Sequence, residues 1–139
     1  MKKFLPLFAF AVIAFNVNAQ SIPNPGFENW VQFAGYENPE GYGTLNLLTA
    51  FGNPVSVEKD SVNPYAGTYS MKVSTIVLTS NPSPADLADT FGTAFTGDVS
   101  FAGQVYGFPY TNRPANLKFY FKYAPSNNDS AYCYVPFCK

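Results

Sequence analysis

The stretch VYGFPYTNRPANLKFYFKYAP, Val105 to Pro125, carries the strongest strand signal in the chain. From Leu117 the residues alternate. Leu117, Phe119, Phe121 and Tyr123 fall on one face, and Lys118, Tyr120 and Lys122 on the other. Period-two alternation is the pattern of a half-buried β-strand, so this run predicts a strand with one apolar face against a core. A polar loop punctuated by proline, Gly107 to Pro114, leads into it.

Working outward, the same grammar recurs. Downstream, a turn over Pro125–Asp129 precedes a further strand signal, Ala131–Phe137. Upstream, Thr90–Phe95 and Val99–Tyr106 read as strands joined through Gly97-Asp98. Ser80–Asp86 reads as a loop, and Ser83 could cap a short helical turn over Pro84–Phe91. Tyr69, Met71, Val73, Thr75 and Val77 share one face of a strand over Tyr69–Leu78. Ser61–Thr68 is a turn with Asn63-Pro64 and Gly67, and Val55 and Val57 alternate with Ser56 and Glu58 in a strand ending at Lys59-Asp60. Thr44–Phe51 is a short apolar piece read as a strand rather than a helical turn, and Val31–Gly43 reads as loop. Ile22–Trp30 is extended, with an Asn-Pro-Gly turn, and Trp30 is read as core. Short strands with turn signals between them predict an all-β fold, an antiparallel β-sandwich.

The first residues, MKKFLPLFAFAVIAFNVNAQ, have the form of a secretory leader. Lys2 and Lys3 precede an apolar run, Phe4–Phe15, shorter than the roughly 20 residues a bilayer span needs. Small residues at Val17-Asn18-Ala19 place cleavage after Ala19, so residues 1–19 are expected to be the leader and 20–139 one domain. An uncleaved anchor is the rival reading. Of eight basic residues, loss of Lys2 and Lys3 leaves six against nine acidic ones, a charge of −3. With no basic run, nucleic acid and anionic membrane surfaces are poor partners, and no membrane insertion is expected after leader removal. Export ends in the periplasm, on the outer surface or outside the cell.

The chain contains no histidine. That excludes Ser-His-Asp and Cys-His machinery and histidine-ligated zinc. No phosphate-binding glycine loop is present, since Gly92–Gly97 lacks the required lysine. What remains catalytically is a carboxylate pair of the glycosidase kind, drawn from Glu28, Glu37, Glu40, Asp60 and Asp98 in or beside loops. The plain alternative is that these are solvated loop acids. No catalytic residue is assigned.

Aromatics outside the apolar faces are the stronger signal: Trp30, Tyr36, Tyr42, Tyr65, Tyr106, Tyr110, Tyr120, Tyr132 and Tyr134. Sugars present flat C–H faces and rings of hydroxyls, which aromatic faces and planar hydrogen-bonding groups hold. Arg113, the sole arginine, sits between Asn112 and Pro114 with its rigid fork of donors. The expected carbohydrate-binding residues are Tyr106, Tyr110, Asn112, Arg113 and Tyr120. Ordinary packing is the alternative for any single tyrosine, and a clamp on loop carbonyls is the alternative for Arg113.

Three segments carry a family resemblance. The head Asn24-Pro25-Gly26-Phe27-Glu28-Asn29-Trp30 resembles the start of secreted jelly-roll domains from Bacteroidetes. Tyr65-Ala66-Gly67-Thr68-Tyr69-Ser70-Met71-Lys72-Val73 is similar to a strand of carbohydrate-binding modules with the galactose-binding-like fold. Gly107-Phe108-Pro109-Tyr110, with Arg113-Pro114, Leu117 and Tyr120-Phe121-Lys122-Tyr123, resembles the signature of a carbohydrate metabolism domain of those bacteria, although Phe119 stands where glycine is usual. The resemblance implies a jelly-roll β-sandwich and a secreted, non-catalytic glycan-binding or accessory role. It also implies a structural calcium held through Glu28 as metal ligand, or no cofactor at all. The alternatives are an adhesion or scaffold domain that binds protein and a carboxylate-dependent glycosidase or lyase.

The sequence stops within a run, Ala131–Lys139, that still reads as strand, as a C-terminally truncated copy or a naturally short protein would. A truncated sandwich would carry an open edge suited to self-association. Cys133 and Cys138 in an extended strand lie about 16 Å apart, against a limit of about 7 Å for a disulfide. Two buried free thiols are expected, with pairing to another segment as the alternative.

Overall fold

The computed structural model describes residues 21–78, 90–111, 114–126 and 129–136. The expected leader lies outside them, as does the expected capped turn over Pro84–Phe91 except for its last two residues, which are strand. Among the described residues the strands are β1 (Trp30–Gln32), β2 (Glu37–Pro39), β3 (Tyr42–Thr44), β4 (Val57–Asp60), β5 (Ser70–Val73), β6 (Ile76–Val77), β7 (Thr90–Phe91), β8 (Ala94–Ser100) and β9 (Gly103–Tyr106). A single 3-10 helix, Leu45–Phe51, accompanies them. β1–β2, β4–β5 and β6–β7 form two-stranded sheets, and β3–β8–β9 a three-stranded one. Every pairing is antiparallel, so the protein is all-β. No helix among the described residues is long and apolar enough to cross a membrane.

The core gathers where the 3-10 helix meets β4. Leu47, Leu48 and Val57 are its buried apolar side chains, and Val57 is wholly enclosed. Between them lies a polar hub. The Asn46 amide donates to the carbonyls of Val57 (2.8 Å) and Glu37 (3.1 Å). Its oxygen accepts from the amides of Ser56 (3.0 Å) and Val57 (3.1 Å). One side chain thus stitches β2, the helix and β4 together, and every polar group it buries finds a partner.

Several expectations are corrected. Thr44–Phe51 is helical because Thr44 caps it, its hydroxyl accepting from the Asn46 amide at 3.1 Å, and Gly52 closes it at φ +81°. That Thr-to-Gly bracket is a helix signal which the apolar content obscured. Val31–Gly43 holds β1, β2 and the start of β3 rather than a loop, since Phe33 donates back to the Tyr36 carbonyl (2.8 Å) in a tight turn. The Tyr69–Leu78 run breaks into β5 and β6, and its expected inner face is open at Val73 and Val77. Gly97-Asp98 is no turn. β8 runs through it, and the reversal falls at Phe101-Ala102, with Ser100 opposite Gly103.

The largest correction concerns Leu117–Tyr123. No described residue after Tyr106 joins a ladder, and Leu117, Phe119, Phe121 and Tyr123 are all exposed, Phe121 at 76%. Alternation reports how side chains would sort on a sheet, but a strand also needs a neighbour for its backbone groups. The described residues supply none. The described part of Ala131–Phe137 is likewise unladdered, with Tyr132 92% exposed. Cys133 is exposed and unpaired rather than buried, and Cys138 lies outside the described residues.

Candidate functional site: a tyrosine platform on the 61–69 loop

Residues of the head, of the 65–73 segment and of the 107–123 segment meet at one loop. The head comes first. Asn24 takes positive φ (+44°) and its side chain brackets Asn29, donating to its carbonyl (2.8 Å) and accepting from its amide (3.2 Å). The Trp30 indole donates to the Phe27 carbonyl at 2.6 Å. Trp30 is half-buried rather than core. This knotted turn projects Glu28, whose Oε1 accepts from the backbone amides of Thr68 (2.9 Å) and Tyr69 (3.1 Å). Gly67 lies against that carboxylate at φ +76°, where a Cβ would strike it.

The 61–69 loop then meets the 117–123 run. The rings of Tyr65 and Tyr120 stack with centroids 3.5 Å apart and planes 11° from parallel. Both are widely exposed, at 69% and 66%. The Tyr120 hydrogen bond, followed by desolvation, raises the Tyr65 phenol above its ordinary value. Lys122 donates to the Asn63 carbonyl at 3.3 Å, so the polar face of the run rests on the loop. Farther along, Tyr123 donates to the Asp129 carbonyl, and the Thr75 hydroxyl meets the Asp129 carboxylate at 3.0 Å.

The expected site residues are distributed as follows. Tyr120 joins Tyr65. Tyr106, on β9, is 70% exposed, leans on Phe95 (centroids 4.8 Å) and donates to the Gln104 side chain. Tyr110 is half-buried edge-on to Phe108. Asn112 and Arg113 lie outside the described residues. The ring contacts of Tyr106, Tyr110 and Tyr120 thus go to three different partners.

Among the described carboxylates, local partners take up most of the loop acids. Glu37 pairs with Lys59 at 2.6 Å, Asp60 accepts from the Val62 amide at 2.8 Å, and Asp98 accepts from the Val99 amide at 2.8 Å. Calcium takes six to eight oxygen ligands. No group of three or more acidic, histidine or cysteine side chains gathers among the described residues, and Glu28 Oε1 already serves two amides. Glu28 therefore has a structural duty that needs no ion, and we derive no step through calcium.

Sequence reasoning overlooked Lys59. Its ammonium lies 5.5 Å from the Trp30 ring centre and 5.4 Å from that of Tyr69, besides its bridge to Glu37. Cation–π contacts of this kind contribute about 0.5–1 kcal/mol each at exposed sites. Nothing in the sequence foretold it, because its partners come from β1, β2 and the residue just before β5. Beside it Gln32, Tyr36, Glu37 and Glu58 line a shallow groove of about 340 Å³.

The Glu28 contacts set a pH response. The amide of Tyr69, then that of Thr68, holds the carboxyl below its ordinary value of 4.5. A group with a depressed folded pKa contributes stability above its unfolded pKa and loses it as pH falls through the folded value. Amide-exchange protection at Thr68 and Tyr69 is expected to hold down to pH 4.5 and to weaken only below it. Loss of protection already near neutrality would rule out this anchoring.

No family model matches the chain, and neither a curated protein nor a solved structure matches it.

Proposed function

We propose that this is an exported, non-catalytic carbohydrate-binding domain, a jelly-roll sandwich in architecture, whose platform is the Tyr65–Tyr120 pair. The single observation that carries the reading is two stacked, solvent-facing tyrosines held between a turn and an extended run. Contiguous exposed apolar patches mark binding sites more often than scattered single residues do, and a stacked pair is contiguous. A stacked pair spends one face of each ring on its neighbour and leaves the outer face for a pyranose C–H face. The Lys122 ammonium, two residues from Tyr120 and bonded to the Asn63 carbonyl, is a polar group for hydroxyls. Tyr106 is a further exposed ring, and Arg113 and Asn112 belong to the reading on sequence grounds.

The test is a glycan-array screen of the chain from Gln20 onward, followed by titration of the best ligand. Tyr65→Ala and Tyr120→Ala are each expected to weaken binding about tenfold, the order of an aromatic contact, with Tm shifted by only about 2 °C. An Arg113→Ala arm asks whether the loop ahead of Tyr120 takes part. Unchanged affinity with a large fall in Tm would make the stack a structural clasp.

A second reading rests on a different observation, the unladdered and exposed Leu117–Tyr123 run. Such a run suits a protein partner that adds a strand. Concentration-dependent self-association with no response to any glycan would favour a scaffold or adhesion domain.

A further inference from the structure

We infer that Glu28 is the positioning residue of the tyrosine platform, setting the place of Tyr65 by anchoring the C-terminal end of the 61–69 loop. This rests on the platform reading above. The hydrogen bonds of Glu28 go to backbone amides of the loop, and through that backbone it acts.

The mechanical path is short and each link is a named contact. The head turn is closed on itself by Asn24 and by the Trp30 indole, so the Glu28 side chain leaves from a rigid base. Oε1 gathers two consecutive amides, Thr68 and Tyr69, from a position 40 residues away in sequence. The loop then turns at Gly67, whose positive φ and close packing on the Glu28 carboxylate (Cδ 2.9 Å from a Cβ built there) leave room for no side chain. Two residues back, Tyr65 stands against Tyr120, and Asn63 receives Lys122. An exposed loop has little buried apolar surface to fix it, and Tyr65, Ala66, Gly67 and Thr68 are all exposed. Its conformation is therefore set by its anchors, and Glu28 is the anchor whose one oxygen binds two consecutive amides.

This assigns a task to the Phe-Glu-x-Trp head. The acid is used for its reach and its acceptor oxygen, which separates three substitutions. Glu28→Gln keeps both, since its amide oxygen can occupy the Oε1 position. Glu28→Asp keeps the charge and loses one methylene of reach. Glu28→Ala loses everything.

The experiment uses the chain from Gln20 onward and two readouts. The first is affinity for the best glycan from the array. The second is the near-ultraviolet circular dichroism of tyrosine, with Tyr65→Leu defining the part that comes from the stack. Glu28→Gln is expected to stay within about threefold of the parent affinity, and Glu28→Asp and Glu28→Ala to lose about tenfold. Both weakened variants should lose the Tyr65-dependent dichroism while keeping a cooperative thermal transition. Should Glu28→Ala fail to fold, Glu28→Asp carries the test. Glu28→Asp with parent affinity and intact dichroism overturns the inference, as does equal loss in Glu28→Gln. If the parent binds no glycan, the functional reading fails, and the dichroism arm still decides whether Glu28 positions Tyr65.

Discussion

Replacing Asn46 with alanine is expected to remove a large part of the protein's stability, lowering Tm by about 15–20 °C. The reason is where the hydrogen bonds go. Asn46 is fully buried, and its amide serves two carbonyls while its oxygen serves two amides, those of Ser56 and Val57. Truncation leaves four backbone groups without partners next to a wholly enclosed Val57. Each buried group so orphaned costs about 1–3 kcal/mol, less what an entering water recovers. A net loss of about 4 kcal/mol is a large part of the 5–15 kcal/mol typical of one domain. Asn46→Asp should be nearly as damaging, because it keeps the acceptors and loses both donations while burying a charge. Urea denaturation of both variants, read by far-ultraviolet dichroism, checks this. A midpoint close to the parent's in Asn46→Ala would mean that β2, the helix and β4 hold together by other contacts. Trimming apolar bulk instead, as in Leu48→Ala, should cost about 2–4 kcal/mol.

The Asn46 hub also marks a limit of sequence reading. Its partners lie on three elements, and an asparagine between Leu45 and Leu47 has no periodic signature that distinguishes a hub from a turn residue. By contrast, β4 and the turn that follows were legible. Val57 to Asp60 has alternation, and Ser61–Thr68 has Asn-Pro and Gly at positions where local chemistry alone dictates reversal. The 3-10 helix was hidden by its apolar content, although Thr44 and Gly52 bracketed it. Leu117–Tyr123 shows the opposite failure: a strong local pattern whose required neighbour is not among the described residues. At the candidate site the sequence picked out Tyr65 and Tyr120 separately as outward aromatics, and Glu28 as a residue of consequence. That Tyr65 meets Tyr120, and that Glu28 reaches the loop carrying Tyr65, depends on long-range placement that no local pattern encodes.

Gly97 lies within a strand rather than between two, and this placement predicts the second large effect. It lies inside β8 at φ +125°, opposite Tyr106 of β9. A Cβ there would collide with the Val105 carbonyl oxygen and approach the Gly107 amide nitrogen to 3.1 Å. Its own amide donates to the Gly41 carbonyl at 2.9 Å, so β8 is gripped from both sides at this residue. Gly97→Ala therefore combines a backbone conformation that L-residues avoid with a clash against backbone, which no rotamer change relieves. A loss of about 3 kcal/mol or more is expected, with the β8–β9 ladder opening from Tyr106 outward. Gly52 is the control. It too has positive φ, +81°, but a Cβ there meets nothing within 4 Å, so Gly52→Ala should cost only about 1 kcal/mol. Native-state amide exchange separates the two: Gly97→Ala should expose the amides of Asp98 and Val105, an opposed pair of the ladder, whereas Gly52→Ala should leave them protected. Because Tyr106 is held opposite Gly97, the same substitution should displace that ring from Phe95 and leave the Tyr65–Tyr120 stack untouched. A glycan affinity that survives Gly97→Ala in the folded fraction would then confine the sugar site to the 61–69 loop and the 117–123 run. An affinity that falls with it would extend the site across β9 to Tyr106.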